Sequence, residues 1–490
     1  MSLHAQLSPE AEARLHAQKR NSTISSIVIS ILVVILAALI LSFFALKALL
    51  FESPTIVTYN APLDEDDQIE QKQITDQIQR KPSAPSSSMA KVIASSTPSP
   101  TAIPVPEIHV PDPAAEFGSG DDFGAGWGTG GDGPGGDFGT IPETMRKRCS
   151  AADRMARLEA NGGNPRCEEA VMAALRFFQK NQNKDGSWDT NHKVAMTGLV
   201  LLAYLGHCET PLSAEFGQTV TDSIVFLTDV AMKNNGKLSL DLQNKHWSYE
   251  HAIGAYALAE AYTFCSQLSI NIPNLEKACQ DSVQWIISNQ HKSGGWDYNY
   301  DEDGPRGGDL SVTAWQMQAL KAGNHTGLEF RNMRSTILNG LNYIRDCQDS
   351  NGGFGYTTNK KPVGGANGHY TLTGAGALCL QQHKGSANSS ARKGIRYMDE
   401  NCKFDWKAGP ANLYEHYYVS QAMINHDGEA WAKYNKMVRD ELLDNQQEDG
   451  SWGAPAGGGH GPNTAVYRTA LCTLMLEVYY RFLPGTGQKN

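Results

Sequence analysis

Gln182-Asn183-Lys184-Asp185-Gly186-Ser187-Trp188 returns three times in altered form. The copies are Gln-His-Lys-Ser-Gly-Gly-Trp at 290–296, Gln-Asp-Ser-Asn-Gly-Gly-Phe at 348–354 and Gln-Gln-Glu-Asp-Gly-Ser-Trp at 446–452. Two eroded copies are read at Lys245-His246-Trp247 and Lys403-Phe404-Asp405-Trp406. The six closing aromatics, Trp188, Trp247, Trp296, Phe354, Trp406 and Trp452, fall 59, 49, 58, 52 and 46 residues apart. A period of roughly 50 residues is the mark of a repeat architecture.

Each phrase separates two helical patterns. The first is amphipathic, as at 169–181, where Val171, Met172, Leu175 and Phe178 recur at helical spacing. The second is more apolar, at 196–205, 252–262, 312–320, 372–380, 417–423 and 465–479. Strand patterns are nearly absent. A helix pair of this kind cannot bury both faces alone and must stack on its neighbours. An apolar second helix in every pair predicts an inner layer, and so a closed ring in preference to an open solenoid.

The Gln…Gly-x-Trp phrases resemble the QW motifs of squalene-hopene cyclases. The plan is similar to the prenyltransferase and squalene-cyclase repeat superfamily over residues 145–485. That resemblance implies an all-α fold, a single (α/α)6 toroid. It also implies structural roles for Gln182, Trp188, Trp247, Gln290, Trp296, Gln348, Phe354, Trp406, Gln447 and Trp452. It does not imply an activity, because one fold hosts several.

In such a ring the inner helices begin around one mouth, with unpaired backbone N–H groups and a positive dipole end. Aligned on Thr197, Gly254, Thr313, Thr373 and Thr469, the inner helices carry Lys193, Glu250, Asp309, His369 and Ala465 four residues earlier, and the fifth unit adds Glu415. Tyr249-Glu250-His251 recurs as Tyr414-Glu415-His416, three units away and so across the mouth. Two readings stand side by side. The Glu-His pairs hold a cation or a proton, or they cap helices at a wet rim. The expected rim is Glu250, His251, Asp309, Ser311, Trp315, His369, Tyr370, Glu415 and His416. Tyr256, Trp315, Tyr370, Tyr417 and Tyr418 are candidates for the cavity wall.

Asp309 is the one candidate catalytic residue. The cyclases resembled carry Asp-x-Asp-Asp-Thr-Ala, with the middle Asp as proton donor; this chain reads Asp309-Leu310-Ser311-Val312-Thr313-Ala314. The protein prenyltransferases carry Asp-x-Cys-x-x-x-Trp and a later His for zinc; this chain has Asp309, Ser311, Trp315 and His369. A serine hydroxyl neither protonates an alkene nor replaces a zinc-bound thiolate. Ser311 therefore argues against both activities. No cofactor is expected, and Asp309 with His369 are what remains for a divalent metal. Asp301-Glu302-Asp303-Gly304 reads as a solvated loop or a weak Ca²⁺ contact.

Residues 24–46 run from Ile24 to Leu46 with serines as the sole polar residues. A helix needs roughly 20 apolar residues to span a bilayer, so this is a membrane anchor. Arg14, Lys19 and Arg20 precede it and an acidic stretch follows, which places residues 1–23 in the cytoplasm and the rest outside. Residues 48–142 hold 12 of the 22 prolines, and 117–139 hold 11 glycines. That composition predicts a disordered linker, with Phe117, Phe123, Trp127 and Phe138 as candidate docking points. The repeat domain occupies 143–490. Net charge is −10 and no long basic run occurs in the repeats, which excludes nucleic acid as a partner. Nine cysteines lie in a compartment that permits disulfides. Cys149 and Cys167 are the expected pair, and Cys208, Cys265, Cys379 and Cys472 are expected as buried thiols.

The function expected is a membrane-anchored, extracytoplasmic binding or scaffold domain for a lipid or isoprenoid. The alternatives are a cyclase with an atypical acid and a metal-dependent transferase or lyase.

Overall fold

The computed structural model describes residues 55–56, 148–358, 368–384, 388–457 and 461–481. The anchor at 24–46, the linker apart from residues 55–56, and the start of the repeat domain at 143–147 lie outside the described residues. Among the described residues, no helix is long and apolar enough to cross a membrane.

After a short lead helix, α1 (Ala151–Ala160), twelve helices alternate between two layers. The outer helices are α2 (Pro165–Lys180), α4 (Gly217–Lys233), α6 (Leu275–Ser288), α8 (Met333–Asp346), α10 (Ser389–Asn401) and α12 (Gly428–Asp444). The inner ones are α3 (Lys193–Gly206), α5 (Trp247–Gln267), α7 (Leu310–Asn324), α9 (Gly368–Lys384), α11 (Leu413–His426) and α13 (Ala465–Leu476). A final turn, α14 (Val478–Arg481), packs on α1, α11 and α13. Each inner helix packs on the next, and α13 packs back on α3. The fold is a closed ring of six helix pairs, an α/α toroid.

Composition sorts the layers. In α3 every residue from Val194 to Gly206 is buried, as a helix apolar on all sides requires. In α2 burial follows one stripe, Cys167, Ala170, Val171, Ala174, Leu175 and Phe178. Pro165 opens α2, where a missing N–H costs no hydrogen bond.

The repeated phrase is the joint between pairs. Gln182 Nε2 donates to Gly186 O (3.0 Å) in its own turn and to Thr219 O (3.0 Å) near the start of α4. Gln290 reaches Thr336 O (2.9 Å), Gln348 reaches Ser390 O (2.8 Å), and Gln446 reaches Ala170 O (2.8 Å), joining the last pair to the first. The residue in this role is Gln446 and not Gln447, because Gln446 stands six positions before Trp452, as Gln182 stands before Trp188. Gln447 instead accepts from Ser451 Oγ at 2.7 Å.

The aromatics face inward. The indole N–H groups of Trp188, Trp296 and Trp452 donate to Phe178 O, Ile286 O and Leu442 O, at 2.8–2.9 Å. Their backbone N–H groups, with that of Phe354, donate to the hydroxyls of Thr197, Thr313, Thr469 and Thr373. In these four units the threonine aligned in the inner helix is therefore the acceptor for the aromatic of its own unit.

Two repeat readings need correction. Trp247 is the first residue of α5 and packs on Tyr300 at 4.8 Å between centroids. The position two after the turn glycine Gly236, which an aromatic fills elsewhere, belongs to buried Leu238. Its N–H donates to His251 Nδ1 (3.0 Å), since Gly254 offers no hydroxyl. In the fifth unit Phe404 lies edge-on to His416 (4.7 Å), while Trp406 donates its N–H to Glu441.

The disulfide also differs from expectation. Cys149 pairs with Cys208, their Cα atoms 4.9 Å apart, and not with Cys167. Cys167 is a buried thiol on α2, and Cys208, just past α3, is not the thiol expected there.

Candidate functional site

First-turn residues from α3, α5, α7, α11 and α13 line one cavity, so the inner helices run parallel with their starts at one mouth. The cavity measures about 460 Å³. Tyr249, Tyr298, Trp315, Tyr356, Tyr414 and Tyr467 form much of its wall, with Met196, Leu199 and Ile253 deeper and His192, Glu250 and Ser311 as polar points. Trp315 stacks on Tyr417 beneath it, centroids 5.2 Å apart.

The opposite end of the ring is filled. Arg148 and Arg481 each place a guanidinium nitrogen 3.3 Å from a Glu260 oxygen, and Arg481 also contacts Tyr256 OH (3.2 Å). All three ions are almost fully buried. Burial pushes the Glu260 carboxyl up, but the two arginines outweigh it and hold it below the ordinary range. Glu477, buried nearby, is pushed up to about 8 by desolvation. Tyr256 thus belongs to this plug and does not line the cavity; Tyr417 and Tyr418 pack around Trp315 and are likewise absent from the wall.

Asp309 is the N-cap of α7. Its Oδ1 accepts from Ser311 N (2.8 Å), Val312 N (3.3 Å) and Ser311 Oγ (2.6 Å), and Oδ2 meets Arg306. Burial raises this carboxyl above the ordinary range, against the pull of Ser311 and Arg306. Its oxygens are nonetheless occupied by donors, and it is not a cavity residue. Asp309 is therefore a positioning group beneath the wall, which corrects its reading as a catalytic acid or metal ligand.

That acceptor sets the direction of a hydroxyl chain. Ser311 donates to Asp309, so it accepts from Tyr249 OH (2.6 Å), and Tyr249 in turn accepts from Tyr298 OH (3.1 Å). Tyr249 is pushed well above the usual tyrosine range, chiefly by burial. A chain of such weak acids cannot protonate an isolated alkene.

Glu250 is the acidic group in the wall. Its Oε1 lies 2.7 Å from His192 Nδ1, and Ser239 Oγ donates to Oε2 at 3.4 Å. Burial raises its carboxyl, with His192 opposing. His192 caps α3 in a left-handed conformation (φ 51°), uncommon for a residue with a Cβ, and its ring stacks near His246.

The two Glu-His phrases do not face each other across the mouth. On a helix of 3.6 residues per turn, positions two apart point to opposite sides. Tyr249 and Tyr414 line the cavity; His251 and His416 point away from it. His251 Nε2 donates to Ser282 O (3.1 Å), and burial lowers its basicity to about 3. Glu415 does not line the cavity either. The side chains of His369 and Tyr370 lie outside the described residues. Asp301, Glu302 and Asp303 are exposed.

Sequence reasoning missed His192, His246, Tyr249, Tyr298, Tyr356, Tyr414 and Tyr467. For two of them a signal existed: the repeated phrase begins with Tyr249 and Tyr414, and the tyrosine is the shared cavity residue.

No protein-family model matches this chain, and no curated protein matches it in sequence. Among solved structures, the chain is similar to the type II terpene cyclase MstE from Scytonema, at 12% identity and TM-score 0.43, over 64% of this chain and 98% of that one. It is similar to an α-1,6-mannanase of Salegentibacter, at 10% identity and TM-score 0.45, over 64% and 98%. A protein from Actinoplanes gives 13% and 0.42, over 64% and 99%. At these values the likeness carries no argument, and the ring stands on its own helix contacts.

Proposed function

We propose that this chain is a ligand-binding module, tethered by a membrane helix at 24–46 with its ring outside the cytoplasm. Its ligand is an apolar, isoprenoid-like or lipid molecule whose polar end meets Glu250 and His192. The observation that carries this reading is the cavity itself: one end of the ring is sealed by ions, and the other opens into aromatic and aliphatic walls with few polar points. The hydroxyl chain ending on a capped Asp309 supports binding without turnover. The Cys149–Cys208 disulfide is consistent with an oxidising compartment.

One observation favours a second reading, a cyclase with an atypical acid. Glu250 is a buried carboxyl, raised by desolvation, that opens on the cavity. A single experiment separates the two. The full chain in lipid nanodiscs is incubated with geranylgeraniol, and the probe is recovered and analysed by mass spectrometry. Binding with unchanged probe, weakened at least tenfold by Leu199→Trp at unaltered melting temperature, is the expected result. Conversion that disappears in Glu250→Gln establishes the second reading. Failure of geranylgeraniol and of extracted membrane lipids alike to bind overturns the first.

A further inference from the structure

The phrase Tyr-Glu-His occurs twice, and its two histidines are held differently. His251 has both nitrogens on backbone groups, Leu238 N and Ser282 O, which cannot turn away. His416 has one such partner, Lys403 O at 3.2 Å from Nε2. Its Nδ1 meets the Tyr434 hydroxyl at 3.0 Å, and that hydroxyl has a second acceptor in reach, His416 O at 3.5 Å. A rotation of one O–H bond turns the Nδ1 lone pair over to another partner.

Two further groups converge there. Cys402, at the end of α10, and Glu415, in the first turn of α11, join His416 so that one ligand atom from each lies within 4.8 Å of the others. Glu415 and His416 are buried, and half-buried Cys402 gives the cluster a path to solvent. The second unit has no cysteine at its Tyr-Glu-His phrase, so this convergence is not a by-product of the repeat.

We propose that Cys402, Glu415 and His416 form a zinc site that fastens the start of α11 to the 402–406 segment, behind the cavity wall. Thiolate, imidazole and carboxylate are a donor set that zinc accepts at about 2.0–2.3 Å. The Lys403 carbonyl is the outer partner that fixes the tautomer and orients the ring, as such carbonyls do at zinc-bound histidines. The Tyr434 oxygen, or a water, stands ready for the fourth position. In a tetrahedral complex the ligand atoms are roughly 3.3–3.8 Å apart, so the three draw together by about 1 Å through side-chain rotation. Binding converts the Cys402 thiol to thiolate and releases its proton to solvent. Because the proton and the metal compete for the same sulfur, affinity falls as pH falls. His416 faces away from the cavity, which makes the site structural.

The test uses the metal-free full chain in nanodiscs, titrated with Co²⁺. The expected result is one equivalent bound in tetrahedral geometry, with a thiolate-to-cobalt charge-transfer band that Zn²⁺ displaces. Cys402→Ser abolishes the band, Glu415→Gln weakens binding at least tenfold, and Cys265→Ser, at a buried thiol elsewhere, changes neither. Zn²⁺ raises the melting temperature of the parent by several degrees and leaves Cys402→Ser unmoved. A band that persists in Cys402→Ser, or no cobalt bound at one equivalent, overturns the site. Should Cys402→Ser fail to fold, the Glu415→Gln titration decides, and unchanged affinity there also overturns it.

Discussion

Gly450→Ala is expected to destabilise the ring by about 4 kcal/mol or more, a large share of the roughly 5–15 kcal/mol that holds a domain folded. Gly450 has φ 88°, where a Cβ is strained, and an added Cβ stands 2.2 Å from Ala173 O in α2. Neither atom can step aside, because both belong to backbone in hydrogen-bonded joints. The same holds at Gly186 against Asp222 O, Gly294 against Asn339 O and Gly352 against Lys393 O, at 2.4–2.6 Å. Gly453, three residues on, is the control: its nearest neighbour is the flexible Gln447 side chain at 3.4 Å. Urea denaturation of the two variants checks the difference. Equal midpoints for Gly450→Ala and Gly453→Ala would show that the close approach does not matter.

Stability is expected to fall steeply in acid, with His251 as a major cause. Burial holds its folded-state value near 3, against an ordinary 6.5. A base depressed in the folded state contributes stability that is complete above 6.5. It is lost as pH falls toward 3, because the unfolded chain then binds a proton that the folded one refuses. At about 1.4 kcal/mol per unit, the loss is at most roughly 5 kcal/mol. Glu477 acts with the opposite sign. Its carboxyl is raised from 4.5 to about 8, so its contribution is complete below 4.5 and declines as pH rises to 8. Melting temperatures across pH 3–8 check both: His251→Gln makes the acid fall shallower, leaving the share of His416, which burial also holds near 3, and Glu477→Gln flattens the alkaline side. A parallel acid fall in His251→Gln would remove His251 as the cause.

The ring was legible in the sequence because its joints are. A glutamine reaching two fixed carbonyls, a glycine at positive φ and a buried indole each demand one residue type at one spacing, so they recur visibly. The second unit was misread because Leu238 fills the aromatic's place, and leucine carries no mark that separates it from its neighbours. Trp247, nine residues later, drew the assignment instead. Gln447 was misread for a smaller reason: two glutamines adjoin, and only counting from Trp452 separates them. The cavity was less legible. Chemistry alone points to acids and histidines as its rim, but helix phase turns His251 outward and capping makes Asp309 a brace. Tyr298 and Tyr356 come from loops, where no periodicity reports direction.

The joint at Gln446 and Gly450 has a consequence for how the molecule comes into being. It ties residues near 450 to Ala170 and Ala173, some 276 positions earlier in the chain. Contacts of such high order form slowly, since a long loop must be closed before they return any free energy. During synthesis the first pairs therefore wait with an apolar flank bare until the sixth arrives to cover it. A linear array of repeats can lose a terminal unit and remain an array; a ring that loses one has two raw edges.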